Sequence, residues 1–427
     1  MLPMRAAQQA PQDDERLAAL LAGIVGAPHV LGGFAERLAY ARDRLPYATF
    51  AVREGMLPGA LPRLAVRPAD AAEIAAILDL ARREGVAVIP FGAGSGVLGG
   101  AVPLGGEITL DLKRLDALVG IDEVNGLATA QAGMNGARFE SALNARGYTC
   151  GHLPQSLHMS TVGGWVACRG AGQASTRYGK IEDIVVGLKA VLADGRMLTV
   201  RPVPRRATGP ALRELIVGSE GTLAVITEVT LRIWRRPEVE LPLVLAFPTL
   251  DAALEAARAV LQGELRPAVL RLYDEEESRV RNGGLAAFAE RPILGIMQFC
   301  GPARLAEVER TLAREIAASA GAVETAGAPY HHWQAHRYES YSAEWQNDGH
   351  WMDTIEVTLP WRDLGATYRR MREAALALCP EMHFGAHWSH AYAEGACQYM
   401  TVRLPPMPRE RALPLHRRIW DRLQEMT

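Results

Sequence analysis

Two long stretches without Lys, Arg, Asp or Glu, residues 85–106 and 147–168, constrain the fold of this 427-residue chain more than any other feature. Their length would suit a membrane-spanning helix, but Gly, Pro and Ser interrupt both of them, and His also interrupts the second. Successive glycines do not maintain a helix, whereas they allow several backbone N–H groups to converge on one anion. The two stretches therefore indicate ligand-binding loops and not membrane segments.

The first stretch contains the glycine-rich sequence PFGAGSGVLGG, which begins at Pro90. Pro90 is also the last residue of a predicted strand over 86–90, so the glycines form the loop that follows this strand. Gly94, Gly96 and Gly99 satisfy the GxGxxG spacing of dinucleotide-binding units. That motif also requires a helix that begins at the loop, because the helix N-terminus holds the pyrophosphate. The continuation GGAVPLGG cannot propagate a helix, so the Rossmann interpretation is excluded. An anion-binding nest of N–H groups remains, with a glycine loop that binds nothing as the alternative.

Two further turns are rich in hydrogen-bond donors. Ser160 or Thr161 is placed to cap a short helix whose first turn contains Gly163 and Gly164, which predicts outward-facing N–H groups and hydroxyls. The segment 218–226, GSEGTLAVI, is a third Gly/Ser/Thr loop and leads into a strand. Three such turns favour a large phosphate-containing cofactor over a single phosphate.

The order of the motifs PFGAGSGVLGG, PQSLHMSTVGGWVACRGAGQASTRYGKIEDIV and GSEGTLAVITEVTLRI resembles the PCMH-type FAD-binding domain of the vanillyl-alcohol oxidase superfamily. The second motif is most similar to the alkyl-dihydroxyacetonephosphate synthase (alkylglycerone-phosphate synthase) branch. Glycolate and D-lactate dehydrogenases share the first and third motifs. The resemblance implies FAD as the cofactor. The residues that it implies for FAD binding are Pro90, Phe91, Gly92, Ala93, Gly94, Ser95, Gly96, Gln155, Ser156, Leu157, His158, Met159, Ser160, Thr161, Gly163, Gly164, Cys168, Arg169, Gly170, Ala171, Glu220, Gly221, Thr222, Leu223, Ala224, Val225 and Ile226.

The fold class that we expect is α+β. A helical segment over 1–60 precedes a two-subdomain PCMH-type FAD-binding domain over 61–237. A substrate or cap domain follows over 238–427, and its strand–helix–strand–strand–helix order with a final short strand predicts a split-βαβ, ferredoxin-like arrangement. Asp70 and Glu73 predict a capping box for a helix that Gly85 ends.

Three residues of the cap are candidate catalytic residues on the strength of the resemblance. Arg271 matches an arginine that the family directs at its substrate, and a fixed cation would bind a carboxylate or phosphate. An exposed arginine paired with Asp274 or Glu275 is the alternative. Tyr399 matches the family's proton-transferring tyrosine and needs a lowered pKa to act as a base, although a strand tyrosine that simply packs is the alternative. His390 lies in the sequence SHAY, which resembles the family strand that leads into the active site, and the resemblance therefore implies a position near the substrate.

Other residue clusters are less specific. We expect no metal site, because the histidines at 331, 332, 336, 383, 387 and 390 lie on predicted strands and loops without acidic or cysteine partners. Tryptophans at 333, 345, 351 and 388 indicate either an aromatic pocket or core packing. A second substrate arginine of the synthase branch aligns with Ser342, and Arg337 is the nearest cation upstream.

Composition limits the partners and the compartment. A net charge of −2 does not favour nucleic acid as a partner. Five widely spaced cysteines without a CxxC pair indicate a reducing, cytoplasmic location. Asp13, Asp14 and Glu15 lie where a signal peptide would need its apolar core. A small anionic or lipid-like substrate, peripheral contact with a membrane and a homodimer are the expected interactions.

Two reactions are implied by the resemblance. One is exchange of an acyl for an alkyl group on an acyl-dihydroxyacetone phosphate through a flavin adduct, and the other is FAD-dependent dehydrogenation of a 2-hydroxy acid. The family's histidine-rich motif follows a final long helix, and this sequence ends at Thr427 in or after that helix. A non-catalytic FAD-binding protein or subunit is therefore the alternative from a different class.

Overall fold

The computed structural model describes residues 11–46, 50, 55–56, 58–339, 345 and 347–427. It contains two compact units, which are described separately. The first comprises Met1–Cys150, Ser156–Gly170 and Lys180–Arg235, and the second comprises Gly151–Gln155, Ala171–Gly179 and Arg236–Thr427. Two short segments from the middle of the sequence thus belong to the second unit. Within the described ranges, no helix combines the length and the apolar character needed to cross a membrane.

The first subdomain of the first unit is a four-stranded sheet in the order β1-β2-β4-β3, in which only β1 is antiparallel to its neighbour. The Asp70 carboxylate caps α3 by accepting from the Glu73 N–H at 2.9 Å, and Gly85 ends the helix at φ 66°, as predicted. The segment 1–60 was predicted to be helical, but its described part also contains a short strand. The elements are α1 Pro11–Val25, a 3₁₀ turn Ala27–His29, β1 Val30–Leu31, α2 Phe34–Leu38, β2 Leu64–Val66, α3 Ala71–Glu84, β3 Val88–Phe91 and β4 Ile108–Asp111.

The second subdomain is a five-stranded antiparallel sheet in the order β5-β6-β10-β8-β9, beside a small β7–β11 pair. The two-subdomain arrangement predicted for this unit is confirmed. The elements are β5 Leu118–Asp122, β6 Leu127–Gln131, α4 Gly136–Asn144, β7 Tyr148–Thr149, α5 Val162–Ala167, α7 Ile181–Ile184, β8 Val185–Leu192, β9 Met197–Val200, α8 Leu212–Ile216, β10 Ala224–Arg232 and β11 Trp234–Arg235, with α6 Ser175–Tyr178 contributed to the second unit.

The second unit is built on a seven-stranded antiparallel sheet in the order β15-β12-β14-β13-β17-β18-β16. Four helices, Leu250–Gln262, Ala303–Ser319, Trp361–Leu378 and Arg409–Gln424, pack against one another along one side of it. Its elements are β12 Val239–Phe247, α9 Leu250–Gln262, β13 Val269–Tyr273, α10 Glu275–Arg281, a 3₁₀ turn Ala286–Ala289, β14 Ile293–Gly301, α11 Ala303–Ser319, β15 Val323–Glu324, α12 Ala328–His336, β16 Trp351–Pro360, α13 Trp361–Leu378, β17 His383–Ala391, β18 Gly395–Leu404 and α14 Arg409–Gln424.

One predicted assignment is wrong. The histidines at 331, 332 and 336 lie on α12 and not on strands or loops. Gly327 precedes the helix and Pro329 stands in its first turn, where proline is compatible with helical geometry. His332 and His336 are then one turn apart, with ring centroids at 4.4 Å, and His336 Nδ1 lies 2.8 Å from the carbonyl oxygen of His332.

Candidate functional site

The three predicted cofactor loops meet pairwise within the first unit. A Cβ built on Gly92 would lie 2.5 Å from Thr161 Oγ1, and one built on Gly221 would lie 2.8 Å from Pro90. The Glu220 N–H donates to the Ala167 carbonyl at 3.0 Å, which joins the third loop to the end of α5. Segments far apart in the sequence therefore surround one region.

The loop after β3 is fixed by its neighbours at both ends. Gly94 has φ 64°, and a Cβ there would approach the Phe91 ring at 2.8 Å, so glycine is required by conformation and by space. The buried Asp43 carboxylate accepts from the Gly99 N–H at 2.8 Å. Within the described part of the chain, no group accepts a hydrogen bond from the N–H groups of residues 93–96. These donors remain available to an anion, as the sequence predicted.

The helix α5 is capped as predicted but does not offer free donors. Thr161 Oγ1 accepts from the Gly164 N–H at 3.2 Å. The N–H groups of Val162 and Gly163 donate to the carbonyls of Met134 and Ala132 at 2.9 and 2.8 Å. The expectation that this turn presents free N–H groups is therefore wrong, because the last residues before α4 take them up.

The two glycines of α5 have different roles. A Cβ on Gly163 would lie 2.5 Å from the Ala132 Cβ, so this glycine permits close helix–strand packing. A Cβ on Gly164 would meet only Thr161 Oγ1, at 3.0 Å, and otherwise open space. Gly164 is thus the position of α5 at which a ligand can approach the backbone.

The remaining predicted FAD residues divide into three groups. In the first group, backbone and side-chain groups are used within the protein. The Ser156 carbonyl accepts from the N–H groups of Met159 and Ser160 and so closes a turn. Trp165 Nε1 donates to Ser160 Oγ at 2.7 Å, and the His158 carbonyl accepts from the Asn135 side chain. The side chains of Leu157, Ala224, Val225 and Ile226 are buried in the core, which leaves only their backbone for a ligand. Gln155 and Ala171 belong to the second unit, where Gln155 Nε2 donates to the Glu339 carbonyl.

Cys168 and its neighbours form the rim of the first-unit site. The Cys168 thiol keeps accessible surface, yet the surrounding protein, together with the carboxylates of Glu220 and Asp43, raises its pKa to about 11. Arg169 and Glu220 have positive φ angles of 52° and 48°. Arg169 Nε donates to Glu182 at 3.1 Å, and Thr222 Oγ1 donates to the Ser219 carbonyl at 2.6 Å.

The residues of this site fit FAD. The free N–H donors at 93–96 suit a pyrophosphate, and the open side of Gly164 leaves room for a ring. Large apolar side chains on the same loops are exposed, with Leu98 at 74% and Leu223 at 50%. An anion cradle beside apolar surface is the donor and shape pattern that a dinucleotide needs.

A second site lies on the sheet face of the second unit that is opposite the packed helices. The strand register aligns Tyr273 with His387 and His387 with Tyr399. The ring centroid of His387 lies 5.9 Å from that of Tyr273 and 4.7 Å from that of Tyr399. Arg271 is two residues before Tyr273 on β13 and so lies on the same face.

Arg271 is held by aromatic groups and not by a carboxylate. Its Nε donates to Tyr273 Oη at 2.9 Å, and its guanidinium carbon lies 5.5 and 5.7 Å from the ring centroids of Tyr273 and Trp333. Among the described residues, no carboxylate comes within 4.0 Å of this guanidinium. Asp274, the alternative partner, caps α10 and accepts from Tyr368 and Ala386 instead.

Arg337 is a second cation beside the same indole. Its guanidinium carbon lies 5.7 Å from the Trp333 ring centroid and 4.9 Å from that of Tyr338. In the described part of the chain it also has no carboxylate partner within 4.0 Å. Ser342, the position aligned with the family's second substrate arginine, lies outside the described residues.

Two more arginines add positive charge to this face. The buried Glu277 carboxylate pairs with Arg403 at 2.6 Å and with Arg281. Gly385 permits this arrangement, because a Cβ there would lie 2.4 Å from Glu277 Oε1. One carboxylate is therefore shared by two cations, and Arg271 and Arg337 carry further positive charge. The face is suited to an anion.

The protonation states of the two central rings are set by their surroundings. Burial and the charges of Arg271, Arg281, His390 and Arg403 hold the pKa of His387 well below its ordinary value. Burial raises the pKa of Tyr399, although a hydrogen bond with Thr354 opposes this. The lowered pKa that the sequence analysis required of a tyrosine base is therefore absent. A neutral imidazole at His387 is able to accept a proton, and a protonated phenol at Tyr399 is able to donate a hydrogen bond.

His390 lies beside this group and not within it. The pairing of β17 with β18 shifts between Ser389 and Ala391, which makes His390 the extra residue of a β-bulge at φ 48°. Its Nδ1 lies 2.7 Å from the hydroxyl of the buried Ser175. His387 was not selected from the sequence. Its alternation with Tyr399 across an antiparallel pair was the signal that could have found it.

Two of the tryptophans have different surroundings, and the histidines form no metal-binding group among the described residues. Trp388 is fully buried and contacts Tyr368 of α13, so it belongs to the core, whereas Trp333 flanks the arginines. Over the described ranges, no group of three or more His, Cys, Asp or Glu side chains is arranged to hold a metal ion.

The fold and the first-unit cradle define a flavoprotein with an FAD-binding domain and a separate C-terminal domain. Two family models agree: an FAD binding domain matches residues 62–201, and the C-terminal domain of FAD linked oxidases matches residues 236–426. The chain therefore contains an FAD binding domain and the C-terminal domain of FAD linked oxidases, and FAD is its cofactor.

The similar proteins include a synthase and an oxidase. The alkyldihydroxyacetonephosphate synthase of Dictyostelium discoideum is 28% identical over 82% of this chain, which spans 62% of that protein's length. The glycolate oxidase subunit GlcD of Bacillus subtilis is 30% identical over 56% of this chain and 49% of its own length. A solved alkyldihydroxyacetonephosphate synthase has the same fold, with a TM-score of 0.84 and 24% identity over 99% of this chain and 81% of its own.

Proposed function

We propose that the chain is an FAD-dependent enzyme that exchanges an acyl for an alkyl group on an acyl-dihydroxyacetone phosphate. The observation that carries the proposal is the pair Arg271 and Arg337, which flank one indole without a carboxylate partner among the described residues. Two unpaired guanidiniums suit the charge and the oxygens of a phosphate. The similarity to the synthases supports the same choice.

Different residues bind the cofactor, bind the substrate and transfer the proton. The N–H groups of residues 93–96 would hold the FAD pyrophosphate, and Gly164 would leave space beside it. Bound FAD supplies a ring system that takes up and returns electrons. Arg271 and Arg337 bind and orient the phosphate. Neutral His387 accepts a proton at an imidazole nitrogen, and Tyr399 donates a hydrogen bond through its phenol.

Dehydrogenation of a 2-hydroxy acid is the second candidate. Arg271 would then bind the carboxylate, and neutral His387 would accept the hydroxyl proton. The similarity to the glycolate oxidase subunit supports this reaction. A carboxylate needs only one guanidinium, so the second cation, Arg337, favours the phosphate.

The two reactions are separated by their products. The FAD-loaded protein is incubated either with an acyl-dihydroxyacetone phosphate and a fatty alcohol, or anaerobically with glycolate or D-lactate. The proposal predicts an ether product by mass spectrometry and no lasting flavin bleaching by the 2-hydroxy acids. Bleaching without ether formation would support the dehydrogenase. FAD binding without either reaction would support a non-catalytic FAD-binding protein.

A cytoplasmic location and a homodimer are part of the same proposal. All five cysteines are free thiols, which suits a reducing compartment. Cell fractionation and sedimentation of the purified protein test the two statements.

A further inference from the structure

An exposed segment of the first unit combines basic and apolar side chains. Residues 201–212 are all exposed, in a run that connects β9 to α8 and contains three prolines, at 202, 204 and 210. Proline disfavours both helix and strand in such a run. The chain then returns to the core at Ile216 and Val217, which are buried.

The charge of this segment is positive and uncompensated. Among the described residues, Arg201, Arg205 and Arg206 have no carboxylate within 4.0 Å. Arg206 Nη2 instead donates to the Arg201 carbonyl at 3.0 Å, which folds the loop back on itself. Arg213 pairs with Glu214 at 2.6 Å, so this pair adds no net charge. Three positive charges thus stand on a chain whose net charge is −2.

The same segment exposes large apolar side chains. Val203 is 40%, Leu212 44% and Leu215 58% exposed. Leu212 and Leu215 are three residues apart on α8 and share one side of it. Ile216 and Val217, which follow them, are buried and anchor the C-terminal end of the helix in the core.

We infer that this segment, residues 201–215, binds the surface of an anionic lipid bilayer. Arginines without partners match lipid phosphates and carboxylates, and the exposed leucines provide the apolar contact that a headgroup region accepts. A nucleic acid would use the arginines but not the leucines. The inference goes beyond the proposed reaction and does not depend on it, because binding is measured without turnover.

The test is sedimentation of the full-length protein with vesicles of phosphatidylcholine alone or with phosphatidylserine. Each arginine near an anionic surface contributes about 1 kcal/mol, so the double variant Arg205→Gln/Arg206→Gln should bind the anionic vesicles about 30-fold more weakly. Arg417→Gln/Arg418→Gln is the matched control, since these adjacent arginines of α14 are exposed and lack carboxylate partners within the described residues. The control should bind like the unmodified protein.

The apolar contribution is tested with Leu215→Ser, which keeps every charge. It should weaken binding to anionic vesicles about tenfold and should leave the salt dependence unchanged. Equal binding to both vesicle types, equal loss in the control pair, or no vesicle binding at all would each overturn the inference. Unchanged binding of Leu215→Ser to anionic vesicles would also overturn the inference. The exposed leucines would then contribute nothing, and the segment would bind by charge alone, as it would bind a nucleic acid.

Discussion

Replacing Arg271 with alanine tests whether the cap arginine serves the substrate. The side chain makes one hydrogen bond to a neutral phenol and faces two rings, and it has no carboxylate partner in the described part of the chain. Its loss should therefore lower stability by only about 1–2 kcal/mol, the scale of two cation–π contacts. FAD content should not change, because Arg271 lies outside the first-unit loops.

The effect on an anionic ligand should be larger. A charge-assisted hydrogen bond contributes about 1.5–3 kcal/mol, which corresponds to a loss of affinity of roughly 10- to 150-fold. Titration of flavin absorbance with dihydroxyacetone phosphate, glycolate and D-lactate measures it. Arg271→Lys should recover part of the affinity, because an ammonium keeps the charge but loses the planar fork.

The matched control is Arg279→Ala on α10. Arg279 is exposed and pairs with Glu275 and Glu276 at 3.5 and 3.1 Å, so its loss should change neither stability nor affinity measurably. If Arg271 and Arg337 hold one anion, the double variant should lose less affinity than the sum of the single variants. Equal affinity of the unmodified protein and Arg271→Ala would refute the anion clamp.

Three more predictions concern the two sites. The Gly164→Ala variant should lose FAD but keep the melting temperature of the unmodified protein, because the new Cβ meets only Thr161 Oγ1 within the protein. The control variant Gly23→Ala, in a helical position with open space around it, should keep both its FAD and its melting temperature. Cys168 should react with iodoacetamide at neutral pH about 100-fold more slowly than an ordinary thiol, since its pKa is about 11, and a rate equal to that of a free thiol would contradict this. Burial raises the pKa of Asp274 from 3.8 to about 6, so the folded state binds the extra proton. The stability contributed by this group should therefore fall by about 2 kcal/mol as the pH rises from 4 to 6, and melting curves of the unmodified protein and Asp274→Asn should diverge over that interval.

Local chemistry explains which parts of the structure were predictable. The Asp70 cap, the end of the helix at Gly85 and the Thr161 cap depend on residues within a few positions, and all three were expected. The glycines of the first loop were also correctly interpreted as a source of free N–H groups.

Features that depend on distant pairing were not predictable in the same way. The N–H groups of α5 are taken up by carbonyls of Ala132 and Met134, some thirty residues earlier, which only the folded chain brings near. His387 joins Tyr399 through strand register, and burial sets the protonation of both. The helix that carries the histidines 331 and 332 has few locally decisive residues, so its sequence alone did not distinguish it from a loop.

The first unit is expected to bind FAD through the N–H groups of residues 93–96 in its glycine loop. The most direct measurement is the flavin content of the purified protein, from its visible spectrum and from the nucleotide released on denaturation. We expect close to one FAD per chain, or its uptake when FAD is added, with loss of binding in Gly164→Ala. A colourless protein that does not take up added FAD would show that the glycine loop does not hold this cofactor.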